Sequence, residues 1–384
     1  VRIKNTLSGK VEEFESIEKN KVKIYVCGIT PYDTTHLGHA FTFISYDVLI
    51  RYLKFKGNEI EYTQNVTDIN DRDNDILKRA KEKHTTWEEL TEFWTNKFLK
   101  DMNFLNWMMP SNYLYASEHI DEMTILIKKL LISEYAYEVN GSIYLDVNVD
   151  KGYGKLSRLN RSDMLRIARD FDEDIDNIDK KNALDITLWR SEMENQPEHI
   201  PSFNSPFGKG RPGWHIECSA MGISSLGEQI DIHGGGKDLI FPHHEAEIIQ
   251  SEKATGKNPY AKFFIHTGQI SYDGEKMSKS LGNLVLVSEL SKKYSSNAIR
   301  FLLLSHNYSS DWEYFEKDLI KSEQKIEIIE ESLKSNLKSD SEILKKFEIL
   351  MDNNLDVPKV LELVYEKRHY VQSKQILNLL GFIG

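Results

Sequence analysis

The amino-acid sequence predicts an α/β protein: a parallel-sheet domain split by an insertion and followed by a C-terminal helical bundle. Two observations carry this. Residues 23–66 read strand, helix, strand, the unit of a parallel sheet, and the chain from Val287 onward is helical in its apolar periodicity. A chain of 384 residues predicts, at about 150 residues per domain, two or three packed units with room for a core. Hydrophobic residues at 40% and charged residues at 28% describe an ordinary globular protein. No uncharged apolar run reaches the ~18 residues of a membrane span. The stretch 1–16 is polar and charged, without the apolar segment of a secretion signal. Two cysteines make no disulfide framework, so a cytoplasmic protein is expected. The net charge of −11 argues against non-specific coating of nucleic acid but leaves room for local RNA contacts.

The elements follow in order. Lys23-Ile24-Tyr25-Val26-Cys27 is a short β-branched run ending at Gly28, a buried strand. A loop over 28–36 leads into an apolar-periodic helix over 38–56, stopped by Gly57-Asn58, and 59–64 reads as a second strand. Amphipathic helices are predicted over 75–105 and 117–132, and a strand over 141–147. Residues 150–200 are polar and read as an insertion over the sheet. Strand character returns at 229–233 and 263–266, and helices are expected over 297–305, 313–337, 341–354 and 358–380. The domain limits drawn from this are 1–95 and 201–290 for the split sheet domain, 96–200 for the insertion and 291–384 for the bundle.

Two short strings carry chemistry. His36-Leu37-Gly38-His39 stands at a helix start, where two imidazoles one turn apart can donate to phosphate oxygens. The helix end adds unpaired N–H groups and a positive dipole, and Gly38 lets a ligand approach the backbone. Lys276-Met277-Ser278-Lys279-Ser280 puts two lysines on a polar loop that can neutralise a leaving pyrophosphate. Alone, the first is more often a helix-start pair without a role, and the second a solvated loop. Together they resemble the paired signatures of class I aminoacyl-tRNA synthetases, with Leu37 in place of the usual Ile.

The cysteines raise the question of a metal. Cys27 ends the first strand, Cys218 lies in Gly213-Trp214-His215-Ile216-Glu217-Cys218, and His243 and Glu247 are spaced to share one helical face. Thiolate, imidazole and carboxylate are all zinc ligands, whereas a lone buried cysteine is more often a small hydrophobe. Cys27-Gly28, the two signatures, Gly213 to Met221, Asp231-Ile232-His233-Gly234-Gly235-Gly236 and Phe241-Pro242-His243-His244-Glu245 are together similar to the cysteinyl-tRNA synthetase family, in order over about residues 20–310.

The resemblance implies a Rossmann-like catalytic domain that activates L-cysteine with ATP and Mg2+ and passes it to tRNA(Cys). It implies one Zn2+ on Cys27, Cys218, His243 and Glu247, selecting a thiol over a hydroxyl so that no editing is needed. On the same resemblance, His36, His39, Lys276 and Lys279 are the catalytic residues that stabilise the charge of the transition state. Gly38, Gly234, Gly235, Gly236, Asp238 and Lys279 are implied to hold ATP, and Thr67, Trp214 and His233 the cysteine. Bare Gly-Gly-Gly is more often a turn and Trp214 more often a core aromatic, so these assignments rest on the resemblance.

Some features depart from that family. Gly28-Ile29-Thr30-Pro31-Tyr32-Asp33 displaces the usual proline, Asn70 replaces an aspartate, and the stretch after Ser280 is too short for both a bundle and a full anticodon-binding module. Acidic residues outnumber basic ones over 311–384, unlike an RNA-binding tail. The displaced proline and the tail resemble instead the mycothiol-pathway cysteine ligase, whose acceptor is the amine of glucosaminyl inositol. Glu247 and His243-His244-Glu245 favour the synthetase. Transfer to tRNA(Cys) by a monomer without membrane attachment is expected, with the small amine acceptor as the alternative. A small-molecule nucleotidyltransferase and a non-catalytic paralogue rank below both.

Overall fold

A computed structural model describes residues 1–32, 34–73, 76–277 and 282–383. An antiparallel hairpin, β1 (Arg2–Asn5) and β2 (Lys10–Glu13), precedes the first sheet strand, β3 (Lys21–Ile29). Helix α1 (Leu37–Phe55) leads to β4 (Glu59–Val66), then α2 (Ile76–Glu82), α3 (Trp87–Phe104) and β5 (Asn112–Tyr115). Between β5 and the return to the sheet come α4 (Ile120–Ile132), β6 (Ala136–Val139), β7 (Ser142–Leu145), α5 (Arg161–Asp170), β8 (Ile186–Ser191) and β9 (Gly210–Pro212). Next are α6 (Trp214–Leu226), β10 (Ile230–Gly236), α7 (Glu245–Thr255) and β11 (Ala261–Thr267). The short strands β12 (Ile270–Tyr272), β13 (Glu275–Lys276) and β14 (Trp312–Glu313) enclose α8 (Val287–Leu290) and α9 (Ser296–Leu304). Four helices follow: α10 (Glu316–Leu333), α11 (Glu342–Asp352), α12 (Val357–Glu366) and α13 (Val371–Leu379).

The main sheet has the order β11-β10-β3-β4-β5 and every pairing in it is parallel. Its centre, β3, is buried almost throughout, as a strand covered on both faces must be. Side-chain alternation sorts the two covers. Ile24 and Val26 pack with α1, α9 and the C-terminal helices, whereas Tyr25 and Cys27 pack with α4, α6 and α7. The chain runs from β3 to β4 on one side and reaches β10 only after the inserted region. The crevice at the strand ends between β3 and β10 is therefore a topological switch point, where ligands of such sheets bind.

The predicted α/β class with a split parallel sheet and a terminal bundle is what the chain adopts, with local differences. The helix expected over 75–105 is two helices. Left-handed His84 (φ 54°) ends the first, and Thr86 starts the second in a capping box with Glu89. The strand over 141–147 belongs to a separate antiparallel sheet, β6-β7-β8-β9, where it pairs with β6 across a tight turn and with β8 of the inserted region rather than with β3 or β4. The expected limit at 95/96 falls inside α3, and β5 still pairs with β4, so the chain leaves the parallel sheet after Tyr115. The helix expected from 313 begins at 316, since Trp312 and Glu313 pair with β12. The last predicted helix breaks at 367–370, where the Lys338 N–H is taken by the His369 carbonyl.

One buried ion pair ties bundle to sheet. Arg300 of α9 is fully buried, pairs with Asp47 of α1, and donates to the Leu105 and Leu380 carbonyls at 2.8 and 2.7 Å. A buried charge is tolerated only when paired and hydrogen-bonded in this way. Glu245 does the same for the insertion, accepting the backbone N–H groups of Gly154, Leu156 and Ser157 at 2.8–3.3 Å.

Candidate active site and metal centre

A cleft of about 710 Å³ opens at the switch point, within the size range of small-molecule sites. At one end lies the start of α1. His36 is its N-cap, in extended conformation, and Nδ1 accepts the N–H groups of Gly38 and His39 at 3.0 and 3.4 Å. That bond leaves the proton on Nε2, so the ring is a donor. The His36 and His39 rings stack with centroids 3.8 Å apart. A Cβ on Gly38 would lie 2.8 Å from the His36 ring, so glycine is needed there to seat the imidazole.

The three glycines of β10 divide by role. A Cβ on Gly234 would strike the Tyr46 ring at 2.4–2.5 Å, and the Gly235 N–H donates to the Tyr46 hydroxyl at 2.7 Å. Of the three, only Gly236 lines the cleft, together with Asp238 and Lys276, whose side chains stand 3.6 Å apart. Gly234 thus makes room for Tyr46, and at Gly235 a Cβ would meet the Leu239 side chain at 2.8 Å and the His244 ring at 3.2 Å. Lys279 lies outside the described residues.

At the other end, the face that Cys27 shares with Tyr25 looks onto α6 and α7, which carry Cys218 and Glu247. Single donor atoms of Cys27, Cys218, His243 and Glu247 lie within 4.8 Å of one another, and all four residues are buried. An overlapping quartet replaces Cys218 and His243 with His233 and His244. The cleft separates the two: Cys27, Cys218 and His243 line it, and His233 and His244 do not. The donor set fits zinc, and its mutual approach of unlike donors is the kind a cation would reconcile. His243 Nε2 is 3.3 Å from Glu247 Oε1, while its Nδ1 meets His215 Nδ1 at 2.8 Å, and His215 Nε2 meets Glu173 at 3.1 Å.

Electrostatics follow from burial. Burial pushes the Cys27 thiol up and His243 and His244 well down, so the imidazoles are neutral and ready as ligands. Burial would raise Glu173 as well, but His215 and then Arg72 overcome it and hold the carboxyl at about 2.

Trp214 stacks on His243 at 4.2 Å, and the Arg72 guanidinium lies 3.8 Å over the Trp214 ring. Thr67 lines the cleft, its hydroxyl accepting from Asn65 at 3.0 Å. His233, expected against the substrate, is fully buried behind the ligands, with Nε2 3.1 Å from Glu247. It does not line the cleft, and its Nε2 is 3.8 Å from Cys27 Sγ, which does. Residues that sequence reasoning passed over include Glu173, Arg72 and the chain His244–His266–Thr6, with contacts of 2.7 and 2.8 Å. His215 and His244 adjoin motif residues and were findable, whereas Glu173 sits in polar sequence with no local signal.

Residues 13–324 match the family model for the catalytic domain of class I (C) tRNA synthetases. Cysteine–tRNA ligase of Thermodesulfovibrio yellowstonii is 41% identical over 390 residues, covering 95% of this chain and 77% of that protein. The Dehalococcoides mccartyi enzyme of the same name is 40% identical, covering 95% and 79%. A Mycobacterium tuberculosis methionyl-tRNA synthetase bound to methionyl-adenylate superposes with a TM-score of 0.65 at 12% identity, over 94% of this chain and 84% of that one, a likeness of fold alone. With a catalytic-domain match over most of its length and relatives at this identity, the chain belongs to the cysteinyl-tRNA synthetase family of class I aminoacyl-tRNA synthetases.

Proposed function

We propose that this protein joins L-cysteine to ATP, forming cysteinyl adenylate and pyrophosphate, and then transfers cysteine to tRNA(Cys). One observation carries the reading: a single cleft has a buried two-thiol, imidazole and carboxylate quartet at one end and the paired imidazoles of α1 at the other. A zinc ion held by Cys27, Cys218, His243 and Glu247 would supply a Lewis acid that prefers the substrate's sulfur to a serine hydroxyl.

The chain's own residues supply the remainder. Trp214 and Thr67 bound the space beside the quartet and orient the amino acid with its carboxylate toward α1. The substrate carboxylate attacks the α-phosphate of ATP–Mg2+, so no side-chain nucleophile is required. His36 donates from Nε2, and His39, Lys276 and Lys279 add positive or donor groups where charge accumulates on the leaving pyrophosphate. Gly236 lets the nucleotide close on the backbone, and Asp238 receives the ribose. Catalysis on this reading is positioning and electrostatics.

We draw the catalytic unit through β5, to Tyr115, and again over 201–290, with the connective insertion between them and the bundle over 291–384. No helix among the described residues is long and apolar enough to cross a membrane. We place the enzyme in the cytoplasm as a monomer. The test supplies ATP and cysteine with either tRNA(Cys) or glucosaminyl inositol. Product on the RNA is expected, and product on the amine alone overturns the acceptor. Cys218→Ser is expected to abolish cysteine-dependent ATP–pyrophosphate exchange and to lower bound zinc from about one per chain toward none.

A further inference from the structure

A second cavity, of about 450 Å³, adjoins the nucleotide end of the cleft and is lined by Lys4, Arg158, Lys237, Tyr308, Asp311 and the buried His266. The two spaces share a wall. Lys237 stands between Gly236 and Asp238, which line the cleft, and Gln269, another cleft residue, donates its N–H to Asp311 at 2.8 Å. Three cations face one carboxylate here, in a protein whose net charge is −11. Asp311 pairs with Lys237. Lys4 and Arg158 have no carboxylate partner among the described residues.

Arg158 is preorganised. Its backbone is left-handed (φ 55°), a region arginine seldom adopts. Its Nη2 donates to the carbonyls of Thr6 and Leu7 at 3.0 and 2.5 Å, and the guanidinium lies against Gly9, where a Cβ would come within 3.4 Å of it. Nε and Nη1 are left without a protein acceptor among the described residues. A guanidinium held through one nitrogen, with donors to spare on Nε and Nη1, is suited to a phosphate oxygen. Lys4 comes from the N-terminal hairpin, Arg158 from the insertion and Lys237 from the end of β10, so three separate segments converge.

We infer that this cavity binds a phosphate-class anion next to the reaction cleft, most directly a phosphodiester of the RNA whose 3′ end enters that cleft. The inference rests on the function proposed above and adds an anion subsite to it. The same chemistry would accept free pyrophosphate, and the measurements separate the two sources.

Wild type, Lys4→Ala and Arg158→Gln would be compared by filter binding of tRNA(Cys) and by calorimetric titration with pyrophosphate, with thermal melts to establish folding. Lys4 tests the charge even if Arg158 also braces the hairpin. Each substitution is expected to weaken tRNA binding about three- to tenfold at ~0.1 M salt and to make the slope of log Kd against log salt shallower by about one. Weaker pyrophosphate binding with unchanged tRNA binding would assign the cavity to the free anion. Unchanged binding of both ligands by folded variants overturns the inference. Both are equilibrium measurements, so a wild type without cysteine-dependent ATP–pyrophosphate exchange would refute the proposed function and leave this test intact.

Discussion

His215 Nδ1 lies 2.8 Å from His243 Nδ1, and the far nitrogen of His215 is held at 3.1 Å by Glu173. The carboxylate, supplied by the inserted region, therefore fixes the orientation of an imidazole at the metal quartet through a second imidazole. Partners of this kind typically contribute one to two orders of magnitude to metal affinity. Glu173→Gln is expected to weaken zinc binding about tenfold to a hundredfold in chelator competition, with the helical content unchanged.

The start of α1 makes a different demand. Gly38→Ala puts a Cβ 2.8 Å from the His36 ring and must displace it, although alanine favours helix. The variant is expected to melt at or near the wild-type temperature yet lose about a hundredfold in the rate of cysteine-dependent ATP–pyrophosphate exchange, comparable to His36→Ala. Exchange at the wild-type rate would show that the seating of His36 does not matter to catalysis.

Removing one partner of the Arg300–Asp47 pair leaves a buried charge. Arg300→Met also frees the Leu105 and Leu380 carbonyls, so a loss of about 3–5 kcal/mol is expected in denaturant unfolding. Because the pair bridges α1 and α9, the C-terminal helices should become the first site of proteolysis.

Acid sensitivity should trace in part to His266. Burial and then His233 depress it to about 3 from an ordinary value of 6.5. The unfolded chain takes up a proton below 6.5 that the folded protein refuses until about 3, so stability is lost as pH falls through that window. The slope from one such group is about 1.4 kcal/mol per pH unit. In metal-free protein, His266→Gln is expected to flatten the fall of melting temperature between pH 6 and 4, even if it lowers the melting temperature at pH 7.5.

Local pattern by itself determined the parallel sheet, the helix start at His36 and the terminal helices. A buried strand, a helix cap and an amphipathic face are written in neighbouring residues. The resemblance of the motifs named the four residues of the quartet. Tertiary structure alone decided which of two overlapping histidine sets borders the cleft, which side chains crowd Gly234 and Gly235, and that His233 is buried away from the cleft lining. It also brought Glu173 to His215 across 42 positions of sequence, and Lys4 to Arg158 and Lys237 around one cavity. The physical reason is that these roles depend on which face of a strand or helix meets which neighbour. Alternation along β3 predicts that Cys27 and Val26 point to opposite sides, but only packing says that α6 and α7, with Cys218 and Glu247, cover the side of Cys27.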